Sequence, residues 1–438
     1  MSHTPGSNPS AELDVLEATP ESEALPATRV PRTFDAFNDI NYRWFFASLC
    51  GNFASMNMQM FVRGWLVFEI TGSYEKLGWI AAAGGLCGAL SAPIGGVVAD
   101  RVRQKKHIIQ VGQSINALIA LSIGILIHLH LLQFVHLLLA SVLQGLTQNA
   151  MNPARQALTK DVVGVDRLTN AIALSTSGMN TARLLLPGLA GGMVAILGGG
   201  HGNIEPARWV YFLMSALYLF SVATMFKVSV ADRATPAIPY GSFLEELASG
   251  FRYVMRTPVM AMLLGANLAM IFFSMPYFML LPGFAKQVLH AGPDKLGLLI
   301  SVSGVGSLVG SLVIASMTNR NRARVLLSGS LLLGVALLFF STSTIFWLSA
   351  VLLTVVGLGQ SARMSLSNVL IQSYVDDAFR GRVMSIYMLE MSLMQVCIYP
   401  ISMLADRVGP QWAVGLSAAG LVMLVLVLFA TPAYRNLD

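Results

Sequence analysis

Charge is what this 438-residue chain has least of: 11% of its residues are charged, against 55% hydrophobic. Soluble domains carry about 25% charged residues, so the shortage excludes an ordinary water-soluble globule and points to lipid. Cysteine is scarce too. Cys50, Cys87 and Cys397 are the only three, and all fall inside apolar runs. An odd number placed there excludes a disulfide framework and suits small buried thiols. No glycine-lysine nucleotide-binding loop occurs, no soluble stretch is long enough for an ATPase, and no catalytic triad has a suitable setting. An enzyme is therefore not expected, nor a cofactor or a metal centre. Energy for any uphill work must come from an ion or substrate gradient. The formal charge of +6 invites a nucleic-acid partner, but the bases sit in short clusters between apolar runs. Such clusters orient a protein in a bilayer, and no nucleic-acid partner is expected.

What is present is a series of twelve apolar segments, near residues 44–70, 77–99, 107–127, 135–155, 169–197, 208–227, 258–284, 296–317, 325–341, 345–372, 383–405 and 411–431. Crossing a hydrocarbon core of about 30 Å takes roughly 20 residues, and backbone groups inside lipid must pair within the segment, so each is predicted to be a helix. The loops after the even-numbered segments collect Lys and Arg, which puts both termini in the cytoplasm of a multi-pass protein of the cell membrane, a bacterial inner membrane being expected. Residues 1–38, rich in Ser, Pro, Ala and acids, read as a disordered cytoplasmic tail with no cleavable signal. The remaining division is a six-helix half at 39–228, a cytoplasmic linker at 229–257, a second six-helix half at 258–432 and a short tail at 433–438. In the linker, Ser242 and Glu245 have capping-box spacing before an amphipathic stretch, predicted to be an interfacial helix tying the halves together.

The division into halves rests on an internal repeat. The loop GGVVADRVRQKK, from Gly95, follows Lys76-Leu77-Gly78, which reappears as Lys295-Leu296-Gly297. Carrying that spacing forward sets Asp100 against Asn319, Arg101 against Arg320, Arg103 against Arg322 and Lys105 against Arg324. SMNMQMFVRGW, from Ser55, likewise aligns with SMPYFMLLPGF, from Ser274, and Gly145 aligns with Gly357. Doubled six-helix halves are a transporter signature, because a site at their interface can face either side by rocking.

GGVVADRVRQKK resembles the loop motif of the major facilitator superfamily, through Gly96, Asp100, Arg101, Lys105 and Lys106; Arg103 replaces a common glycine, and Asn319 replaces the acid in the second copy. GLTQNAMNPARQALTKDVV, from Gly145, RLTNAIALSTSGMNTARLLLPGLAGG, from Arg167, WLVFEITGS, from Trp65, and FRGRVMSIY, from Phe379, are similar to the subgroup holding the enterobactin exporter and macrolide-efflux proteins. The resemblance covers roughly residues 40–430 and implies an all-α membrane protein of twelve helices in two pseudo-symmetric halves. It also implies a cytoplasmic gate in which Asp100 joins the second segment to Arg380 or Arg382, with Asn319, Arg320, Arg322 and Arg324 as the worn second copy. Two departures stand out. The glycine-proline motif of the fifth segment is degraded around Leu186 and Ala190, and Ser141 stands where many proton-driven members carry an arginine.

Polar side chains recur at helical spacing on three segments. Asn52, Ser55, Gln59 and Arg63 lie on the first, Gln144, Gln148, Asn152 and Arg155 on the fourth, and Gln360, Arg363 and Ser367 on the tenth. Such stripes are costly against lipid and suit a water-filled cavity; hydrogen bonding inside each half is the alternative. Arg183 adds a charge in mid-segment, and Tyr277 sits between Pro276 and Pro282, which are predicted to kink the seventh segment over the cavity. The candidate substrate pathway is thus Asn52, Gln59, Arg63, Gln148, Asn152, Arg155, Arg183, Tyr277, Gln360 and Arg363. Glu390 is the one acid well inside the apolar core. A carboxyl balanced between burial and a nearby arginine is able to take up and release a proton, so Glu390 is the proton-coupling candidate; a static pair with an arginine is the alternative. The expected function is proton-coupled export of a small amphipathic organic molecule, drug-like or a siderophore, by a monomer in the bilayer. Transport of a lipid, lysolipid or nutrient on the same fold, and a non-transporting sensor or scaffold, are the competing readings.

Overall fold

The computed structural model describes residues 34–101, 104–164, 167–200, 202–229, 243–317, 321–435 and 437. The side chains of residues 92–101, 243, 244, 246, 391, 433 and 435 fall outside that description. The first half consists of α1 (Ile40–Thr71), α2 (Tyr74–Arg101), α3 (Lys105–His128), α4 (Phe134–Val163), α5 (Leu168–Ile196) and α6 (Ala207–Phe226). After α7 (Phe243–Arg256), the second half holds α8 (Pro258–Ser274), α9 (Pro276–Gln287), α10 (Pro293–Ser316), α11 (Arg322–Thr342), α12 (Phe346–Tyr374), α13 (Arg380–Val408) and α14 (Pro410–Ala430). With α8 and α9 counted as one broken span, these are the twelve predicted helices, six to a half. Among the described residues nine spans are apolar enough to be recognised by composition alone. Neither α1 nor α4 is one of them, because their polar stripes lower the average.

Local chemistry sets the helix ends. Asp39 accepts from the backbone N–H of Asn41 at 2.7 Å to start α1, the side-chain capping that satisfies one orphan donor. Gly72, in the left-handed region at φ 63°, returns its N–H to Phe68 to stop it, a conformation that suits glycine. The seventh span breaks at Met275, directly before Pro276. Proline supplies no N–H, so the predicted kink is a one-residue break in the helix, with Met275 itself still in the helical region at φ −95° and ψ −25°.

The halves share one packing plan. In the first, α2 lies on α4, α3 on α6 and α1 on α5 and α6; in the second, α10 lies on α12 and α11 on α12 and α14. A Cβ built on Gly145 of α4 would fall onto the backbone carbonyl of Gly84, and one on Gly357 of α12 would fall onto that of Ser303. The two contacts occupy matching places in the repeat, so the doubling survives in side-chain detail and not only in the loops. Small residues permit this close approach of helices. Gly145→Ala is expected to destabilise the protein by about 1–3 kcal/mol through overpacking. Gly192→Ala, where nothing lies within 4 Å, is the control, and thermal unfolding in detergent separates the two.

Between the halves α2 packs on α13 and α5 on α10. The amphipathic α7 docks on the second half: the Tyr253 hydroxyl donates to Asp376 at 3.0 Å, its ring stacks on Phe379 at 4.3 Å, and Val254 is buried. Phe251 and Met255 remain exposed, as on a helix lying at a lipid interface. It packs on α8 and α13, and residues 230–242, which lead to it from the first half, lie outside the described residues.

Candidate functional site

The centre of the second half is built by the break at Met275 and the polar residues of α12 and α13. Arg363 is fully buried on α12; its Nε donates to Gln360 Oε1 at 3.4 Å, and neither Nη1 nor Nη2 has a hydrogen-bond partner. Tyr277, Tyr387 and Glu390 all lie within electrostatic reach of it. Glu390 is 5% exposed, and its Oε2 accepts from Asn267 Nδ2 of α8 at 2.7 Å. Tyr277 lies near Ser303 and is in electrostatic reach of Arg183, which comes from α5 of the other half. Arg183 is exposed although it sits in mid-helix. Its reach to Tyr277 puts it at the gap between the halves. Arg183, Tyr277, Arg363 and Glu390 thus form one cluster across that gap, with Gln360 beside it.

Other members of the sequence-derived set gather elsewhere. Arg63 Nη1 donates to Gln144 Oε1 at 3.0 Å, and the arginine lies within reach of Tyr211 and Tyr218 on α6. Arg155 is over the Phe53 ring at 5.9 Å and within reach of the same Tyr218; its Nε and Nη2 are buried without partners. These two arginines therefore occupy the polar interior of their own half, among α1, α4 and α6. Asn52 is buried with Nδ2 unpartnered, Gln59 is buried, and Asn152 is exposed. Gln148 Nε2 meets Met56 Sδ at 3.2 Å, and Gln360 Nε2 meets Met275 Sδ at 3.3 Å. Met56 and Met275 are repeat mates, as are the two glutamines, so this pairing is a second echo of the doubling. Ser141 donates to the Ile80 carbonyl at 2.8 Å and so joins α4 to α2.

A seal closes the gap at the end bearing the α1–α2 turn. Asp406, at the end of α13, accepts from the backbone N–H groups of Tyr74 and Glu75 at 2.7 and 2.8 Å and from Ser73 Oγ at 2.6 Å. One half thus caps the start of a helix in the other, where the dipole favours an anion. Lys286 Nζ pairs with the buried Glu69 carboxylate at 2.8 Å, Tyr399 donates to Glu75 at 3.1 Å, and Tyr74 donates to Gln287 at 2.9 Å. Nearer mid-membrane the Gly188 N–H meets Ser301 Oγ at 3.1 Å. A cavity of about 220 Å³ lies at this end, lined by Trp65, Phe68, Glu69, Lys286 and His290 among others. The contacts of Asp406, Glu69, Glu75 and Tyr74 that join the halves all belong to this end.

At the opposite end the loop motif is only partly in view. Gly96, Asp100, Arg101 and Arg103 of the first copy, with Asn319 and Arg320 of the second, have side chains outside the described residues. Lys105 pairs with Asp161 at 3.1 Å, and Lys106 donates to the Val228 carbonyl at 3.3 Å. Arg322 donates to Ser373 at 3.2 Å, Arg380 pairs with Asp377 at 2.6 Å, and Arg382 lies over Phe379 at 5.3 Å. Each of these contacts stays inside its own half. Arg324 lies in the first turn of α11.

Asp406 and Glu69, both near helix ends, are absent from the sequence-derived set. The Asp406 cap exists only while the halves touch at this end. Asp406→Ala should remove a cap worth about 1 kcal/mol and raise the open population about fivefold. Ser402, fully buried under α2 beside Gly78, reports on it. With the native cysteines replaced, Ser402→Cys should label faster in the Asp406→Ala background, and an unchanged labelling rate would refute the latch.

The transmembrane secretion effector family, a branch of the major facilitator superfamily, matches residues 32–437. A multidrug efflux pump, Tap, from Mycolicibacterium fortuitum is 25% identical over 391 residues, covering 85% of this chain and 91% of that protein. A staphyloferrin A transporter from Staphylococcus aureus is 23% identical over 279 residues, covering 62% and 66%. Among solved structures, a mutant of the nucleoside transporter NupG superposes with a TM-score of 0.74 over 89% of this chain and 99% of that one, at 12% identity. The family match spans nearly the whole chain, and the chain belongs to the transmembrane secretion effector family of major facilitator transporters.

Proposed function

We propose that this transporter is a proton-coupled exporter of a small amphipathic organic molecule, drug-like or a siderophore, working by alternating access. The observation that carries the reading is Glu390: a buried acid hydrogen-bonded to Asn267, facing a fully buried Arg363, beside a gap that Arg183 of the other half reaches. A buried carboxyl held between an amide and an arginine is suited to trade a proton for a substrate contact. The seal around Asp406 and Glu69 supplies one of the two gates that alternating access needs. The loop around Asp100 is assigned to the other, with Lys105, Lys106, Arg322, Arg324, Arg380 and Arg382 around it. Basic residues at that end orient it toward the cytoplasm of the bacterial inner membrane, so the sealed side faces outward. Export is favoured over uptake by the efflux pump among the relatives.

Everted membrane vesicles test this reading. With the interior acidified, vesicles carrying the protein should accumulate at least one member of a panel of amphipathic compounds above the level of empty-vector vesicles, and a protonophore should abolish the difference. Accumulation that ignores the protonophore would remove proton coupling, and no accumulation across the panel would remove export of this class.

A further inference from the structure

Among the described residues, five charged side chains lie more than two turns from the ends of the membrane helices: Arg63, Arg155, Arg183, Arg363 and Glu390. Four are cationic and one is anionic. Charge at that depth calls for a partner or water, and Glu390 cannot neutralise four guanidinium groups, least of all with one oxygen already held by Asn267. Arg363 is the sharpest case. It is fully buried, and both terminal nitrogens lack a hydrogen-bond partner. One turn along α12, Ser367 Oγ is buried without a partner, and so is Ser274 Oγ at the α8–α9 break. A planar guanidinium fork with two free ends matches a carboxylate in bidentate geometry, and buried donors of this kind are seldom left unmade.

We propose that the substrate carries a carboxylate, that Arg363 receives it as a bidentate ligand, and that Arg183 approaches it from the other half. This rests on the transporter reading above and narrows its substrate to organic anions. The apolar part of the molecule lies against Met275 and Tyr277, and a thioether beside a tyrosine makes an adaptable wall. Arg63 and Arg155, in a half with no acid at their depth, add positive potential across a poorly screened interior. The same field repels a lipophilic cation.

The test uses three probes on one ring: 2-naphthoate, the uncharged 2-naphthamide and 2-naphthylmethylammonium. Equilibrium dialysis against the full-length protein in nanodiscs needs neither a gradient nor movement, so it separates this proposal from the export reading. Naphthoate is expected to bind at least about tenfold tighter than the amide, the scale of one charge-assisted hydrogen bond, and the ammonium weakest. Arg363→Gln should erase the preference for naphthoate over the amide. If that variant fails to fold, Arg183→Gln, at an exposed position, should reduce it. Arg407→Gln, outside the cluster, should leave it intact. Equal binding of the three probes, preference for the ammonium, absence of saturable naphthoate binding, a preference surviving in a folded Arg363→Gln variant, or an undiminished preference in Arg183→Gln would each overturn the proposal. Tight naphthoate binding without accumulation in everted vesicles would leave the anion site standing and remove the export reading.

Discussion

Replacing Arg363 with leucine is expected to lower transport at least about tenfold while leaving a detectable fraction of protein in the membrane. The side chain is fully buried and contributes the unpartnered end of the central cluster. Charge-assisted hydrogen bonds of this kind are worth about 1.5–3 kcal/mol, so losing one lowers transport by about 10- to 100-fold. A second cost acts through Glu390, which loses the cation within its reach. Stranding a buried charge costs about 3–5 kcal/mol when one partner of a pair is removed, although Asn267 still holds the carboxylate. Transport normalised to membrane abundance is the measurement. A fall in abundance that accounts for the whole loss would mean that Arg363 is a static strut.

Glu390→Gln is expected to uncouple the transporter. The substitution keeps the size and the ability to hydrogen-bond Asn267 but cannot carry a charge. A coupling group must take up a proton in one state and release it in another. The variant should therefore lose accumulation driven by a pH gradient, by about the full gradient ratio, yet still exchange labelled for unlabelled substrate when no gradient is imposed. A purely structural Glu390 would lose both together. Retained accumulation with an unchanged pH dependence would move the proton route elsewhere.

How far the molecule is legible in its sequence depends on the range of the interactions. Spans are written locally, in runs of apolar residues bounded by charge, and all twelve helices lie where those runs are. The interruption at Met275 is local too, because Pro276 imposes it on its immediate neighbours. Repeats are also legible: the Gln148–Met56 and Gln360–Met275 contacts fall at aligned positions. The direction in which a polar stripe points is not. Arg63 recurs at helical spacing with Asn52 and Gln59, but its contacts are Gln144 and the α6 tyrosines, a consequence of how α1 rotates against its own half. Periodicity fixes which residues share a face and leaves open what that face meets. Asp406 is the extreme case, for it caps a helix that begins 332 residues earlier. A local scan for capping residues at the start of α2 finds only Ser73 and cannot see a carboxylate supplied by the other half. Glu69 was hidden in the same way, since Lys286 and the Gly202 N–H come from distant parts of the chain.

The central claim is that movement of an organic molecule and movement of a proton are one event through Glu390. Proteoliposomes loaded with a pH-sensitive dye, holding an imposed pH gradient and challenged in turn with each member of the amphipathic panel, test it most directly. Protein-free liposomes set the passive leak. For at least one compound, wild-type protein should dissipate the gradient faster than that leak while the compound moves in the opposite direction, and Glu390→Gln should match the protein-free rate. Transport of a compound through the wild type with no accompanying proton flux would contradict the claim.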